Sequence, residues 1–161
     1  MNNSIQESAT EFPKSAKLKN AEVLSKILSE TYILFLKTQH CHWNVTGPLF
    51  ISLHLMFDDQ CREMFDAIDE IAERLRGSGE HVPTNFLNLS EYAKAEENKG
   101  HLDYQDTIRD LTEATQSMIA RLRQGANEVQ NSEDGVTHDL LIRRLETHEK
   151  SLWMLQSFEA S

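Results

Sequence analysis

The fold of this 161-residue chain is decided by residues 53–76, which read LHLMFDDQCREMFDAIDEIAERLR. The stretch contains neither proline nor glycine, and Gly77 and Gly79 follow it directly. Its apolar residues recur every three or four positions, which is the period of an amphipathic helix. They are Met56, Phe57, Met64, Ile68, Ile71, Ala72 and Leu75. The stretch predicts one long helix that buries a single face and ends at the glycines.

Two pairs of polar residues lie on the same predicted helix. His54 and Asp58 are one turn apart, as are Asp69 and Glu73. At about 100° per residue, all four fall within a stripe roughly 100° wide. Asp58 and Asp69 are nevertheless separated by ~16 Å of helix rise, whereas metal ions bind their ligands at about 2.0–2.5 Å. One ion therefore cannot contact both pairs on one helix.

An antiparallel second copy of the helix would bring the two pairs together. A two-fold axis between positions 63 and 64 places His54 and Asp58 of one chain opposite Asp69 and Glu73 of the partner subunit. Two symmetric sites then lie ~22 Å apart along the helix. The spacing thus favours a metal site shared between subunits. The alternative is that these charges form an ordinary solvated helix face.

Composition narrows the classes of function. The chain carries 26 acidic and 16 basic side chains, for a formal net charge of −10. This acidity argues against nucleic-acid binding by the folded surface and favours attraction of cations. The longest apolar run, residues 32–36, is too short to span a membrane. No export signal is recognisable at the N-terminus, and Cys41 and Cys61 form no C-x-x-C motif, so we expect a cytoplasmic protein with free thiols.

Three further helices are predicted, one before this stretch and two after it. The first runs from Asn20, its expected cap, to about Asn44. The third begins near Asp103 and fades between residues 125 and 127, and the fourth covers about 137–158. The segment between helices two and three is about 25 residues long, with a short extra helix near residues 90–95. Residues 1–19 read as a flexible polar tail, and residues 20–161 as one four-helix bundle domain.

The first helix ends in His40-Cys41-His42-Trp43. His40 and His42 are two positions apart, so they point in opposite directions on a helix and are not expected to bind one ion together. His42 is the better candidate, because a short turn connects it to the helix that carries His54. The alternative is a structural core or surface histidine. Single-chain di-iron bundles use Glu-x-x-His motifs, which this chain lacks, and this again favours a shared site.

Several motifs together resemble one family. They are His42-Trp43-Asn44-Val45-Thr46-Gly47-Pro48, Leu53-His54, Phe57-Asp58 and residues 68–74, IDEIAER, with a last helix containing HEKSLWML at residues 148–155. Over residues 20–158 the chain resembles the Dps proteins, ferritin-like DNA-binding proteins from starved cells. The resemblance implies an all-α, ferritin-like four-helix bundle with a crossover between helices two and three.

The same resemblance implies a site and an activity. Dps proteins form hollow dodecamers with ferroxidase sites at two-fold interfaces, where His42, His54 and Asp58 of one subunit would meet Asp69 and Glu73 of the partner subunit. The family oxidises Fe²⁺, preferably with hydrogen peroxide, and stores ferric mineral inside the shell. Imidazole and carboxylate ligands suit iron and also accept Zn²⁺, which we expect to compete.

Trp43 receives a candidate role from its position beside His42, and the resemblance implies an acidic iron channel. Trp43, beside His42, either takes up a stray oxidising equivalent or simply packs at the interface. Glu133, Asp134 and Asp139 are candidates for an acidic channel at a three-fold axis, through which iron reaches the cavity. The alternative is that all three are cap and turn residues, and for Asp134 we favour this alternative.

DNA binding is a separate expectation. Dps proteins that bind DNA commonly use a basic terminal tail, and here the tail carries Lys14, Lys17 and Lys19 against two glutamates. Twelve such tails acting together would give weak, salt-sensitive binding, with association to the nucleoid. The alternative function is accordingly a mainly DNA-compacting protein, and the alternative for the tail is an inert terminus.

Overall fold

The computed structural model describes residues 14–83 and 103–159, and these form four long helices without a strand. The helices are α1 (Lys14–Asn44), α2 (Phe50–Gly77), α3 (Tyr104–Gln130) and α4 (Gly135–Glu159). This confirms the predicted all-α four-helix fold. The short helix expected near residues 90–95 lies outside the described residues. Within the described ranges, no helix is long and apolar enough to cross a membrane.

The helices pack in a square, with α1 against α2 and α3, and α4 against the same two helices. Ion pairs between α1 and α3 join Lys37 to Asp110 and Glu30 to Arg121, so these two helices run antiparallel. Short turns make α1 and α2, and likewise α3 and α4, antiparallel. The end of α2 and the start of α3 therefore lie at opposite ends of the bundle, as a crossover connection requires.

Apolar side chains from all four helices meet in one continuous core. Burial removes them from water and supplies the main driving force for folding. The buried members include six of the seven apolar positions predicted for α2, and the seventh, Ala72, is partly buried. The largest fully buried side chains are Leu24, Ile27, Leu28, Leu53, Phe57, Ile71, Leu75, Ile108, Leu111, Leu122, Leu141 and Leu155.

The expected start of the first helix at Asn20 is wrong. The helix begins at Lys14, and Asn20 lies inside it, buried at the end of the bundle. Its side-chain amide donates to Ser132 Oγ at 2.9 Å and to Asp134 Oδ2 at 3.1 Å. Asn20 thus connects α1 to the α3–α4 turn instead of capping a helix. Lys14, Lys17 and Lys19 accordingly belong to α1, while residues 1–13 lie outside the described part.

The predicted fading of the third helix near Gly125 is also wrong, because α3 continues to Gln130. Gly125 is buried where α3 crosses α1. A Cβ atom added there would lie 2.9 Å from Cγ1 of Val23 and 3.6 Å from Cδ1 of Leu141. Gly125 therefore permits a close approach between helices and does not end one.

Candidate metal centre

The turn between α1 and α2 places the two candidate histidines beside each other. Val45 is buried, and its amide donates to the Cys41 carbonyl oxygen at 2.9 Å, which extends the end of α1. Gly47 then adopts φ of +98°, a left-handed conformation that glycine tolerates without strain. The amide of Phe50 donates back to the Gly47 carbonyl oxygen at 3.1 Å. The chain thus reverses direction within a few residues.

His42 and His54 are joined by two reciprocal hydrogen bonds. His42 Nδ1 lies 2.9 Å from the His54 carbonyl oxygen, and His54 Nδ1 lies 2.9 Å from the His42 carbonyl oxygen. A carbonyl oxygen only accepts, so both Nδ1 atoms must donate, and this assigns the tautomer. The rings stack with centroids 4.0 Å apart and planes 19° from parallel. In the tautomer that carries its one ring proton on Nδ1, each imidazole has a lone pair on Nε2 that a metal ion could bind.

Asp58 lies one turn beyond His54, and its side chain is 31% exposed. Its Oδ2 accepts a hydrogen bond from Arg62 at 2.5 Å, which also forms an ion pair between the two side chains. Sequence reasoning missed Arg62, although an Asp and an Arg four residues apart on a helix are a recognisable signal. The carboxylate that was predicted to bind a metal thus has a cationic partner of its own.

Asp69 and Glu73 are exposed, and they lie toward the far end of α2 from the histidines. In residues 14–83 and 103–159 of a single chain, no group of three or more His, Cys, Asp or Glu side chains is placed to hold a metal ion. The structure therefore brings His42 and His54 together but leaves the Asp69–Glu73 pair apart from them.

The face of α2 that carries these ligands also carries large exposed apolar side chains. Ile51 is 64% exposed, Leu55 57% and Phe65 65%. At about 100° per residue, all three and Arg62 fall within the same stripe as the four candidate ligands on α2. We call this set the α2 stripe: Ile51, His54, Leu55, Asp58, Arg62, Phe65, Asp69 and Glu73. Phe35 on α1 adds to its apolar part, with its ring centroid 6.4 Å from that of Phe65.

Two further side chains, those of Cys61 and Trp43, lie near the candidate ligands. Cys61 is buried, and burial together with the charge of Asp58 raises the pKa of its thiol to about 11. The thiol therefore stays protonated near neutral pH and does not offer a thiolate to a metal. Trp43 is 67% exposed beside His42, an exposure that suits either of its two proposed roles.

Cationic side chains in and near the bundle core pair with nearby carboxylates. The Glu63 carboxylate accepts hydrogen bonds from Nη1 and Nη2 of the buried Arg144, and Nη2 also lies 3.3 Å from Nε2 of His148. The buried Glu30 and the partly exposed Asp110 are likewise paired, with Arg121 and Lys37 respectively. The guanidinium of Arg144 therefore lies between Glu63 and His148.

The three acidic channel candidates differ in their surroundings. Asp134 is only 4% exposed and caps α4, accepting from the Thr137 amide at 3.0 Å and from Arg74 at 2.6 Å. Burial raises its pKa, but hydrogen bonds from Thr137 and Arg74 outweigh this effect and lower the pKa overall. Asp134 therefore has the capping role, and we no longer assign it to a channel. Glu133 and Asp139 are exposed, and Asp139 is paired with Arg143 at 3.0 Å.

Comparisons with known proteins agree with this architecture. A ferritin-like domain model matches residues 21–159. The DNA protection during starvation protein 2 of Bacillus anthracis is 35% identical over 144 residues, covering 85% of this chain and 94% of the relative. The X-ray structure of Dps from Thermosynechococcus elongatus has a TM-score of 0.87 at 28% identity, covering 91% of this chain and 94% of that one. A Dps protein from Bacillus brevis has a TM-score of 0.86 at 25% identity, with coverages of 91% and 98%.

The four helices, their crossover arrangement and the domain match define a ferritin-like protein. The identity and coverage of the Bacillus anthracis relative narrow this class further. The chain belongs to the Dps family within it.

Proposed function

We propose that this protein is a ferroxidase and iron store, which oxidises Fe²⁺ with hydrogen peroxide at sites shared by two subunits. Each site would combine His42, His54 and Asp58 of one chain with Asp69 and Glu73 of the partner subunit. Membership in the Dps family supports the ferritin-like bundle on which shared metal sites are expected. The imidazole and carboxylate ligands support iron as the substrate.

The observation that carries the proposal is the composition of the α2 stripe. Ile51, Leu55 and Phe65 expose large apolar surfaces on the same face as the candidate ligands. Clustered apolar groups of this size on a surface mark a contact with another molecule. A second copy placed antiparallel would cover them and, by the same operation, join the two ligand pairs. Assembly and completion of the site would therefore be one event.

The donor set fits the proposed chemistry. The Nε2 atoms of His42 and His54 are held ready by their Nδ1 hydrogen bonds, and three carboxylates offset the charge of bound iron. Two Fe²⁺ ions supply the two electrons that reduce one hydrogen peroxide, with two protons, to two water molecules. No hydroxyl radical is released in this stoichiometry, so the reaction itself would protect nearby DNA. Zn²⁺ suits the same ligands and would inhibit the reaction.

The proposal extends to the assembly and its surroundings. We propose a hollow dodecamer in the cytoplasm, where the −10 charge of each chain draws Fe²⁺ inward, with Glu133 and Asp139 at the channel. The Bacillus anthracis relative is named for DNA protection during starvation. Direct DNA contact through Lys14, Lys17 and Lys19 remains a prediction. Because each chain would contribute only these three lysines to the contact, we expect the binding to be weak and sensitive to salt.

The test is a ferrous oxidation assay that compares peroxide with oxygen, with gel filtration on the same sample. We expect faster oxidation with peroxide, and a loss of at least ~100-fold in the initial rate for His54→Ala plus Asp58→Ala, because two of five ligands are gone. The matched control is His40→Ala plus Asp59→Ala, which removes the same residue types from nearby exposed positions. An assembled His54→Ala plus Asp58→Ala variant that oxidises iron like the control would refute the proposal.

A further inference from the structure

Arg62 lies in the α2 stripe among the candidate metal ligands, but it is not itself a metal ligand. Its guanidinium lies 2.5 Å from Oδ2 of Asp58, although the Arg62 side chain is 75% exposed and free to point elsewhere. Of the proposed ligands in its half-site, Asp58 lies nearest along α2 to the two-fold axis proposed above. The guanidinium takes up part of the acceptor capacity of the Asp58 carboxylate, and its positive charge repels a divalent cation that approaches the same group. Arg62 and a divalent cation therefore compete for the Asp58 carboxylate.

The electrostatics of the assembled site explain why a positive charge beside Asp58 would stabilise it. Each shared site would bring together the carboxylates of Asp58 and of Asp69 and Glu73 of the partner subunit. Without a metal, three like charges would face one another as water is excluded from the interface, which is unfavourable. Arg62 lies between Asp58 and the axis, so its charge offsets part of this repulsion. A divalent ion would supply the same compensation more strongly.

We propose that Arg62 is a built-in counter-cation, which holds Asp58 in the metal-free site and is displaced from it by the incoming divalent ion. This inference rests on the proposed shared site and adds a residue that sets its metal affinity. Asp66 is exposed one turn beyond Arg62 and offers the released guanidinium a second carboxylate. Arg62 thus stabilises the empty assembly and weakens metal binding by the same contact.

The test measures Zn²⁺ binding calorimetrically to the assembled, metal-free protein. Arg62→Gln removes the charge, so we expect Zn²⁺ to bind ~3- to 10-fold more tightly than to the wild type. The melting temperature without metal should fall, and Zn²⁺ should raise it more than in the wild type. Arg109→Gln is the matched control, because Arg109 forms a similar exposed pair with Asp106 at 2.8 Å on α3. This control should leave Zn²⁺ affinity unchanged.

The outcomes separate this inference from the proposed function. Equal or weaker Zn²⁺ binding by assembled Arg62→Gln overturns the role of Arg62. If His54→Ala plus Asp58→Ala leaves Zn²⁺ binding intact, the shared site itself is wrong. Arg62→Met serves if Arg62→Gln fails to assemble, since its apolar side chain suits a face shared with Leu55 and Phe65. The same tightening is expected for it, and its absence would equally overturn the inference.

Discussion

At the scale of single residues, His42 and His54 depend on each other for their orientation. Each ring donates from Nδ1 to the backbone carbonyl oxygen of the other residue, at 2.9 Å in both directions. Motif spacing predicted both as ligands. It could not predict which ring nitrogen would face a metal, because that depends on the backbone path through the turn at Gly47. The Asp58–Arg62 pair was readable from its spacing, but only the folded structure shows that it forms.

His148 gives a prediction about pH. Burial, together with the charge of Arg144, lowers its pKa from 6.5 to about 3. Between these values the unfolded chain binds a proton that the folded chain does not, so stability falls as pH falls from 6.5 toward 3, by up to ~1.4 kcal/mol per unit. His148→Gln retains an acceptor for Arg144 and should lose less free energy of unfolding between pH 7 and pH 5, measured by denaturant titration.

The control for this prediction is His81→Gln, because His81 is exposed. It should retain the pH dependence of the wild type. An identical loss of stability on acidification in the wild type and in His148→Gln would show that His148 does not cause the effect.

At the scale of helices, sequence periodicity predicted four elements and, for α2, most of the buried positions correctly. The errors fall at Asn20 and Gly125, where local residue preference conflicts with packing. Asn20 is a good cap by type, yet its partners Ser132 and Asp134 lie more than one hundred residues away in sequence. Gly125 breaks helices by type, yet it is buried against Val23. Neither long-range contact is visible in a local sequence window.

Gly125→Ala tests whether α1 and α3 need a glycine at their crossing. The added Cβ would lie 2.9 Å from Val23 Cγ1, so packing should have to shift. Despite the better helix propensity of alanine, we expect the free energy of unfolding to fall by about 1–3 kcal/mol. Gly77→Ala is the control, because a Cβ added at Gly77 would have nothing within 4 Å, and its stability should stay within about 1 kcal/mol of the wild type. Equal stabilities for the two variants would argue against a packing constraint.

At the scale of the whole molecule, the proposed function gives the single chain two half-sites, each belonging to a different shared site. The ligand spacing on α2 predicted this separation, and the exposed Ile51, Leu55 and Phe65 indicate the surface that would join the halves. The number of subunits cannot be read from one face of one helix, since a two-fold contact fits a dimer as well as a shell. The resemblance, not the residue pattern, supplies the expected dodecamer.

The most direct test of the shared site is complementation between two inactive variants. One carries His54→Ala plus Asp58→Ala, and the other carries Asp69→Ala plus Glu73→Ala. A mixed two-fold pair would contain one site with both halves intact and one with both halves removed. Co-expressed at equal levels with random pairing, the variants should recover about one quarter of the wild-type ferroxidase sites, counted by Fe²⁺ titration. Mixed assemblies, purified through two different tags, that recover no sites would contradict a centre shared between subunits.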